Sequence, residues 1–184
     1  MFSSLSKFIL KLLGYTISGE CPALPKKKVV IAGPHTSYWD FPIGIMVRSA
    51  GKLKTKYVGK ASLFKPPLGW IMKFLGGIPV DRTKSNNFVD AVVAAYNERD
   101  ELAVLFAPEG TRRKVDKLKT GFYYVAKEAG IPIVPVIFDI ANKSIRWLPM
   151  FYPGDNPEED LLKIQKLFDG VEGFYPENSI GYGK

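Results

Sequence analysis

Short aliphatic, β-branched runs alternate with segments of helical periodicity along most of the chain, and this alternation constrains the fold more than any other feature. KVVIA at 28–32, LAVLF at 102–106 and the stretches 55–59, 78–80, 131–139 and 143–147 read as strands. Between them, 41–50, 68–75, 87–99, 119–129 and 161–168 read as helices. In 87–99, Phe88, Val89, Val92, Ala95 and Tyr96 share one face. Strands separated by helices imply an α/β fold, with a largely parallel mixed sheet flanked by helices. The chain has 184 residues, no internal repeat and no linker long enough to divide it, so one domain over 1–184 is expected.

Residues 1–14 form a separate amphipathic helix. Phe2, Leu5, Phe8, Ile9, Leu12 and Leu13 fill one arc of the wheel, while Lys7 and Lys11 lie opposite with Ser3 and Ser4; Leu10 sits off the stripe. Two uses of such a helix are open: docking on the core of its own domain, or lying in a bilayer interface. No stretch reaches the roughly 18 apolar residues of a membrane-spanning helix. The longest candidate, 69–80, is broken by Lys73 and the Gly76-Gly77 pair. Lys7 and Lys11 also interrupt any secretory signal, so an intracellular chain without a spanning segment is expected.

Residue counts exclude several chemistries. Cys21 is the single cysteine and His35 the single histidine, which removes internal disulfides, cysteine-based metal sites and His-rich metal sites. Twenty-six basic against 18 acidic residues leave a net charge of +8, which points to an anionic partner. The basic residues stand beside glycine and proline near strand ends and no nucleic-acid recognition motif occurs, so no nucleic-acid partner is expected. The glycine-rich cradles of dinucleotide and P-loop sites are absent, as is a G-x-S-x-G elbow.

What remains is a set of loops at strand ends. PHTSYWD, 34–40, follows the KVVIA strand, where open α/β sheets place their ligands. His35 and Asp40 would diverge on a continuous helix; they meet if His35 lies in the turn and Asp40 in the first turn of the next helix. Asp40 would then fix one imidazole nitrogen while the other takes a proton from a hydroxyl. Taken alone, the same spacing also fits a histidine that caps a helix. A second loop, APEGTR at 107–112, offers a glycine for close approach, a hydroxyl and the forked donor of Arg112. GGIPVDR at 76–82 ends in Arg82, and VGK at 58–60 in Lys60. Cations at several adjacent strand ends favour a phosphate pocket.

Together PHTSYWD, VGKASLF, GGIPVDR, FAPEGTRRK and IPIVPV resemble the glycerophosphate and lysophosphatidate acyltransferases of bacterial phospholipid synthesis, in the family's order from His35 to Pro135. The resemblance implies His35 as general base and Asp40 as its orienter. It implies that Lys60, Arg82, Glu109, Gly110, Thr111 and Arg112 shape or contact the acceptor's phosphate site, and that IPIVPV lies on the acyl-chain side. It also implies no metal and no resident cofactor. The co-substrate would be acyl-CoA or an acyl-carrier protein, the acceptor a phosphorylated lyso-lipid such as 1-acylglycerol-3-phosphate, and the location cytoplasmic, peripheral on the inner face of an anionic membrane surface.

The sequence departs from the family at three places. Pro34 stands where the family has asparagine, one amphipathic helix replaces the two-helix anchor of some bacterial members, and Tyr38 and Trp39 fill the interior of H-x4-D, where they narrow the choice of acceptor. Two alternatives stay open on the sequence: the same chemistry on another lyso-lipid or an amino-acid-derived acceptor, and a non-catalytic protein that holds anionic lipid.

Overall fold

The computed structural model describes residues 2–80, 85–181 and 183. Its element order is α1 (Phe2–Leu12), β1 (Thr16–Ser18), β2 (Lys27–Gly33), α2 (Asp40–Ala50), β3 (Thr55–Lys60), α3 (Gly69–Phe74), β4 (Gly77–Val80), α4 (Ser85–Asn97), β5 (Leu102–Phe106), α5 (Gly121–Ala129), β6 (Ile133–Asp139), β7 (Ser144–Trp147) and α6 (Pro157–Lys166). The strands form one sheet in the order β1-β7-β6-β2-β5-β3-β4. Only β6 and β7 pair antiparallel; the other pairs are parallel. The expected α/β fold with a largely parallel mixed sheet is therefore present.

The sheet is covered on both faces, which is why its central strands are apolar throughout rather than alternating. Val29 and Ile31 of β2 enter a core cluster with Tyr96, Phe122, Tyr123, Val125, Ile164 and Phe168. Val30, between them, faces the other way and packs with Leu10, Ile43, Val47, Val134 and Phe138. One face thus carries α4, α5 and α6, and the other carries α1 and α2.

The N-terminal helix docks on the domain, but not through its apolar stripe. Ser6 and Leu10 are its buried residues, Ser3 Oγ donates to the Ala50 carbonyl at 3.1 Å, and Leu10 is 2% exposed. Two serines let the α1 backbone come close to α2, and Leu10, which the wheel places off the stripe, supplies the core contact. Phe2, Leu5, Phe8, Leu12 and Leu13 remain exposed. Among the described residues no helix is long and apolar enough to cross a membrane.

Most other differences lie at element ends. The helix expected at 161–168 begins four residues earlier, because Asn156 caps it by accepting from the Glu159 N–H, Pro157 opens it, and Glu158, Glu159 and Asp160 fill its first turn. The edge strand β1 has no counterpart in the sequence pattern, for its three residues are all exposed.

Candidate active site

β2, β5 and β3 are neighbours and parallel, so their carboxyl ends open on one edge of the sheet. His35 follows β2, Lys60 ends β3, and Glu109 to Arg112 follow β5. Asp40 is the first residue of α2. The chain leaves β2, turns through Pro34–Trp39 and re-enters as a helix, which lets residues five apart face each other.

The histidine and aspartate do meet. His35 Nδ1 lies 2.9 Å from Asp40 Oδ2. The same oxygen accepts the Thr36 N–H at 2.9 Å and the Ser37 N–H at 2.8 Å. Asp40 is buried, and the turn is folded around its carboxylate. With Nδ1–H donated to Asp40, the lone pair belongs to Nε2, which has no protein partner among the described residues. The His35 side chain is 23% exposed, so a ligand can reach it.

Glu109 lies beneath this turn rather than at its mouth. It is 2% exposed, and its Oε1 accepts the His35 N–H at 3.1 Å. Oε2 of Glu109 and Oδ1 of Asp40 are buried without a hydrogen-bond partner among the described residues. Burial pushes the Glu109 carboxyl up to about 7, and the nearby Asp40 charge pushes the same way, against the backbone N–H groups of Glu109 and His35. A carboxyl raised to about 7 keeps its proton on a substantial fraction of molecules at neutral pH, where an ordinary glutamate is fully ionised. Gly33 makes room for this: a Cβ there would stand 3.0 Å from Glu109 Oε1 and 3.0 Å from the Phe168 ring.

The two loops are joined by Arg112. Its Nε donates to the Ser37 carbonyl at 3.2 Å, and its guanidinium sits 4.0 Å from the centroid of the Tyr38 ring. Gly110 takes the left-handed conformation, at φ 68°, that a β-carbon would disfavour. Thr111 Oγ1 accepts the Arg113 N–H at 3.3 Å, closing a short turn. Lys60 sits in register opposite Val80 at the ends of β3 and β4, and Arg82 lies outside the described residues.

The sequence reading missed a third component. Residues 171–180 cross the turn at 34–40, from more than 130 residues further along the chain. The Tyr175 N–H donates to Thr36 Oγ1 at 3.2 Å, and a Cβ on Gly173 would fall 2.4 Å from that same oxygen. Asn178 Oδ1 accepts the Lys114 N–H at 3.3 Å. None of these contacts follows a motif; a glycine, a backbone N–H and an asparagine carry no signal of their own.

A family model described as acyltransferase matches residues 15–139, which hold every motif residue named above. The chain belongs to the acyltransferase family. The matched residues include the turn at 34–40 and the loop at 108–112, whereas the crossing segment at 171–180 lies beyond them. The chain is 32% identical over 149 residues to 1-acyl-sn-glycerol-3-phosphate acyltransferase of Haemophilus influenzae, covering 74% of this chain and 60% of that protein. It is 30% identical over 142 residues to the enzyme of the same name from Saccharomyces cerevisiae, covering 70% of this chain and 43% of that protein. The chain thus spans roughly half the length of these curated relatives. The crystal structure of the 1-acyl-sn-glycerophosphate (LPA) acyltransferase PlsC from Thermotoga maritima superposes with a TM-score of 0.65 at 18% identity, over 90% of this chain and 74% of that one. That likeness is one of fold.

Proposed function

We propose that this acyltransferase-family chain moves a fatty acyl group from an acyl thioester to the hydroxyl of a phosphorylated lyso-lipid, 1-acylglycerol-3-phosphate being the acceptor its named relatives favour. The observation that carries the reading is the 2.9 Å pair of His35 Nδ1 and Asp40 Oδ2, with Nε2 unpartnered among the described residues. Nε2 removes the proton of the acceptor hydroxyl as its oxygen bonds to the thioester carbonyl carbon. The tetrahedral intermediate then collapses with cleavage of the carbon–sulfur bond, and the imidazolium returns its proton to the departing thiolate. Asp40 holds the tautomer and stabilises the imidazolium between these steps. The chain's own residues suffice for this sequence.

The remaining donors of Arg112, with Lys60 and Arg82 of the VGK and GGIPVDR motifs, hold the acceptor's phosphate. Glu109 acts from below, through the His35 backbone. The donor is acyl-CoA or an acyl-carrier protein. The exposed stripe of α1, with Lys7 and Lys11, supports docking on the inner face of an anionic membrane, where a lyso-lipid acceptor resides.

The test is an incubation of the purified protein with labelled acyl-CoA or acyl-carrier protein and a panel of lyso-lipids, products being identified by mass. Transfer to phosphorylated acceptors that disappears in His35→Ala is expected. Equal use of phosphorylated and unphosphorylated acceptors would refute the phosphate pocket. No transfer from either donor to any acceptor would refute the reaction.

A further inference from the structure

Helices α1 and α3 flank α2 on the same face of the sheet. The α1 helix packs on α2 through Ser3, Ser6 and Leu10. On the other side, Arg48 of α2 donates to the carbonyls of Leu75 and Thr55, and Phe41 of α2 meets Tyr57 edge-to-face. Tyr57 in turn donates its hydroxyl to the Met72 carbonyl at 2.9 Å, inside α3. The short α3 is therefore braced from beneath. Its upper side is not covered: Trp70 is 71% exposed and Phe74 84%, with Leu63 and Leu68 exposed beside them. An indole and a phenyl ring left in solvent on a braced six-residue helix need a partner to cover them.

The charge distribution says what kind. Residues 1–19 and 41–80, which contain α1, α3 and all of α2 except Asp40, include nine lysines and arginines and no aspartate or glutamate. The remaining residues hold seventeen basic and eighteen acidic side chains, close to neutral. The net positive charge of the chain thus falls in the segments that expose Phe2, Phe8, Trp70 and Phe74. Lys7, Lys11, Lys52, Lys65 and Lys73 are exposed among them. A second copy of this chain fits poorly, since a two-fold contact would press these lysines against themselves. An anionic lipid surface takes both features at once, with aromatic rings at head-group depth and ammonium groups on lipid phosphates.

We propose that α3 is a second membrane-docking element. On this assignment Trp70 and Phe74 enter the interface of an anionic bilayer while α1 enters alongside, so that the chain rests on two contacts rather than one. The inference rests on the reading of a lipid acceptor, and it gives that acceptor a route. Phe41, next to Asp40 in α2, meets the ring of Tyr57, whose hydroxyl reaches α3, and the neighbouring Tyr38 and Trp39 are exposed at 78% and 67%.

The experiment uses the full chain with vesicles of phosphatidylcholine, alone or with about one-third phosphatidylglycerol. Partition into anionic vesicles is expected to fall by at least about tenfold in Trp70→Ala/Phe74→Ala, for two rings of apolar area no longer leave water. Thermal melting of the variant establishes that it is folded. Brominated lipid is expected to quench part of the tryptophan emission, and Trp70→Phe, which keeps an aromatic ring in place, is expected to bind while losing that quenched part. Undiminished partition of a folded double variant, equal binding to neutral vesicles, unquenched Trp70, or a dimer in solution that shields Trp70 would each overturn the proposal. Acyl transfer by the wild type to a short, water-soluble acceptor without vesicles tests the catalytic reading by itself, so the two can fail separately.

Discussion

The guanidinium of Arg112 lies 4.0 Å above the ring of Tyr38, and its Nε is already committed to the Ser37 carbonyl. The cation proposed for the acceptor's phosphate is thereby held by the very turn that carries the proposed base. Tyr38 is mostly exposed, where such a contact contributes about 0.5–1 kcal/mol. Tyr38→Ala should raise the KM for the acceptor by roughly two- to fivefold with little change in kcat or in the donor KM. Tyr38→Phe keeps the ring and should restore the wild-type value. Steady-state kinetics with each substrate varied in turn distinguishes this from a general loss of folding.

His35→Ala should lower kcat by roughly 10²–10⁴-fold, the usual range for loss of a general base. Asp40→Asn should be comparably impaired, because an amide no longer fixes the tautomer or stabilises the imidazolium. Near-wild-type turnover by folded His35→Ala protein would remove the mechanism.

Glu109 links stability to pH. Its folded-state value of about 7 stands above the ordinary 4.5, so the buried acid binds its proton more tightly folded than unfolded. That stabilisation is complete below about 4.5 and is lost as pH rises through about 7, amounting to at most ~3 kcal/mol. Glu109→Gln keeps an acceptor for the His35 N–H and has no proton to lose. Urea titrations between these two pH values should show wild-type stability declining with rising pH and the variant's curve flatter. A parallel decline in both would contradict the assignment.

On α1, two apolar residues should behave in opposite ways. Leu10 is buried, and Leu10→Ala should cost about 2–5 kcal/mol of stability. Phe8 is 63% exposed, so Phe8→Ala should change stability by no more than about 0.5 kcal/mol while weakening attachment to anionic vesicles. Truncating residues 1–13 would confound the two effects, since it removes Leu10 from the core. Denaturation and vesicle sedimentation of the point variants separate them.

The parts of this architecture that depend on local pattern could be read from the sequence. β2, β5 and β6 declare themselves through unbroken aliphatic runs, and the H-x4-D turn through its spacing and its place after β2. What escaped depends on partners far away in the chain. Ser3 and Ser6 make the docking face of α1 because they are small, a property that a search for apolar stripes passes over in favour of Phe8 and Leu12. Glu109 reads as one more polar residue of a phosphate loop, and only the packing of Phe168 and Gly33 around it reveals a buried acid. Arg112 and Ser37 are 75 residues apart, and nothing near either one names the other.

The bond from the Tyr175 N–H to Thr36 Oγ1 spans 139 residues. Chains are made from the amino end, so a ribosome that has delivered His35, Asp40 and the loop at 107–112 has still not delivered the segment that closes over the turn. The nascent chain can build most of its sheet while the turn at 34–40 is still uncovered. A chain stopped before residue 175 would carry the sheet and the paired His35 and Asp40 yet lack the N–H that Thr36 Oγ1 accepts.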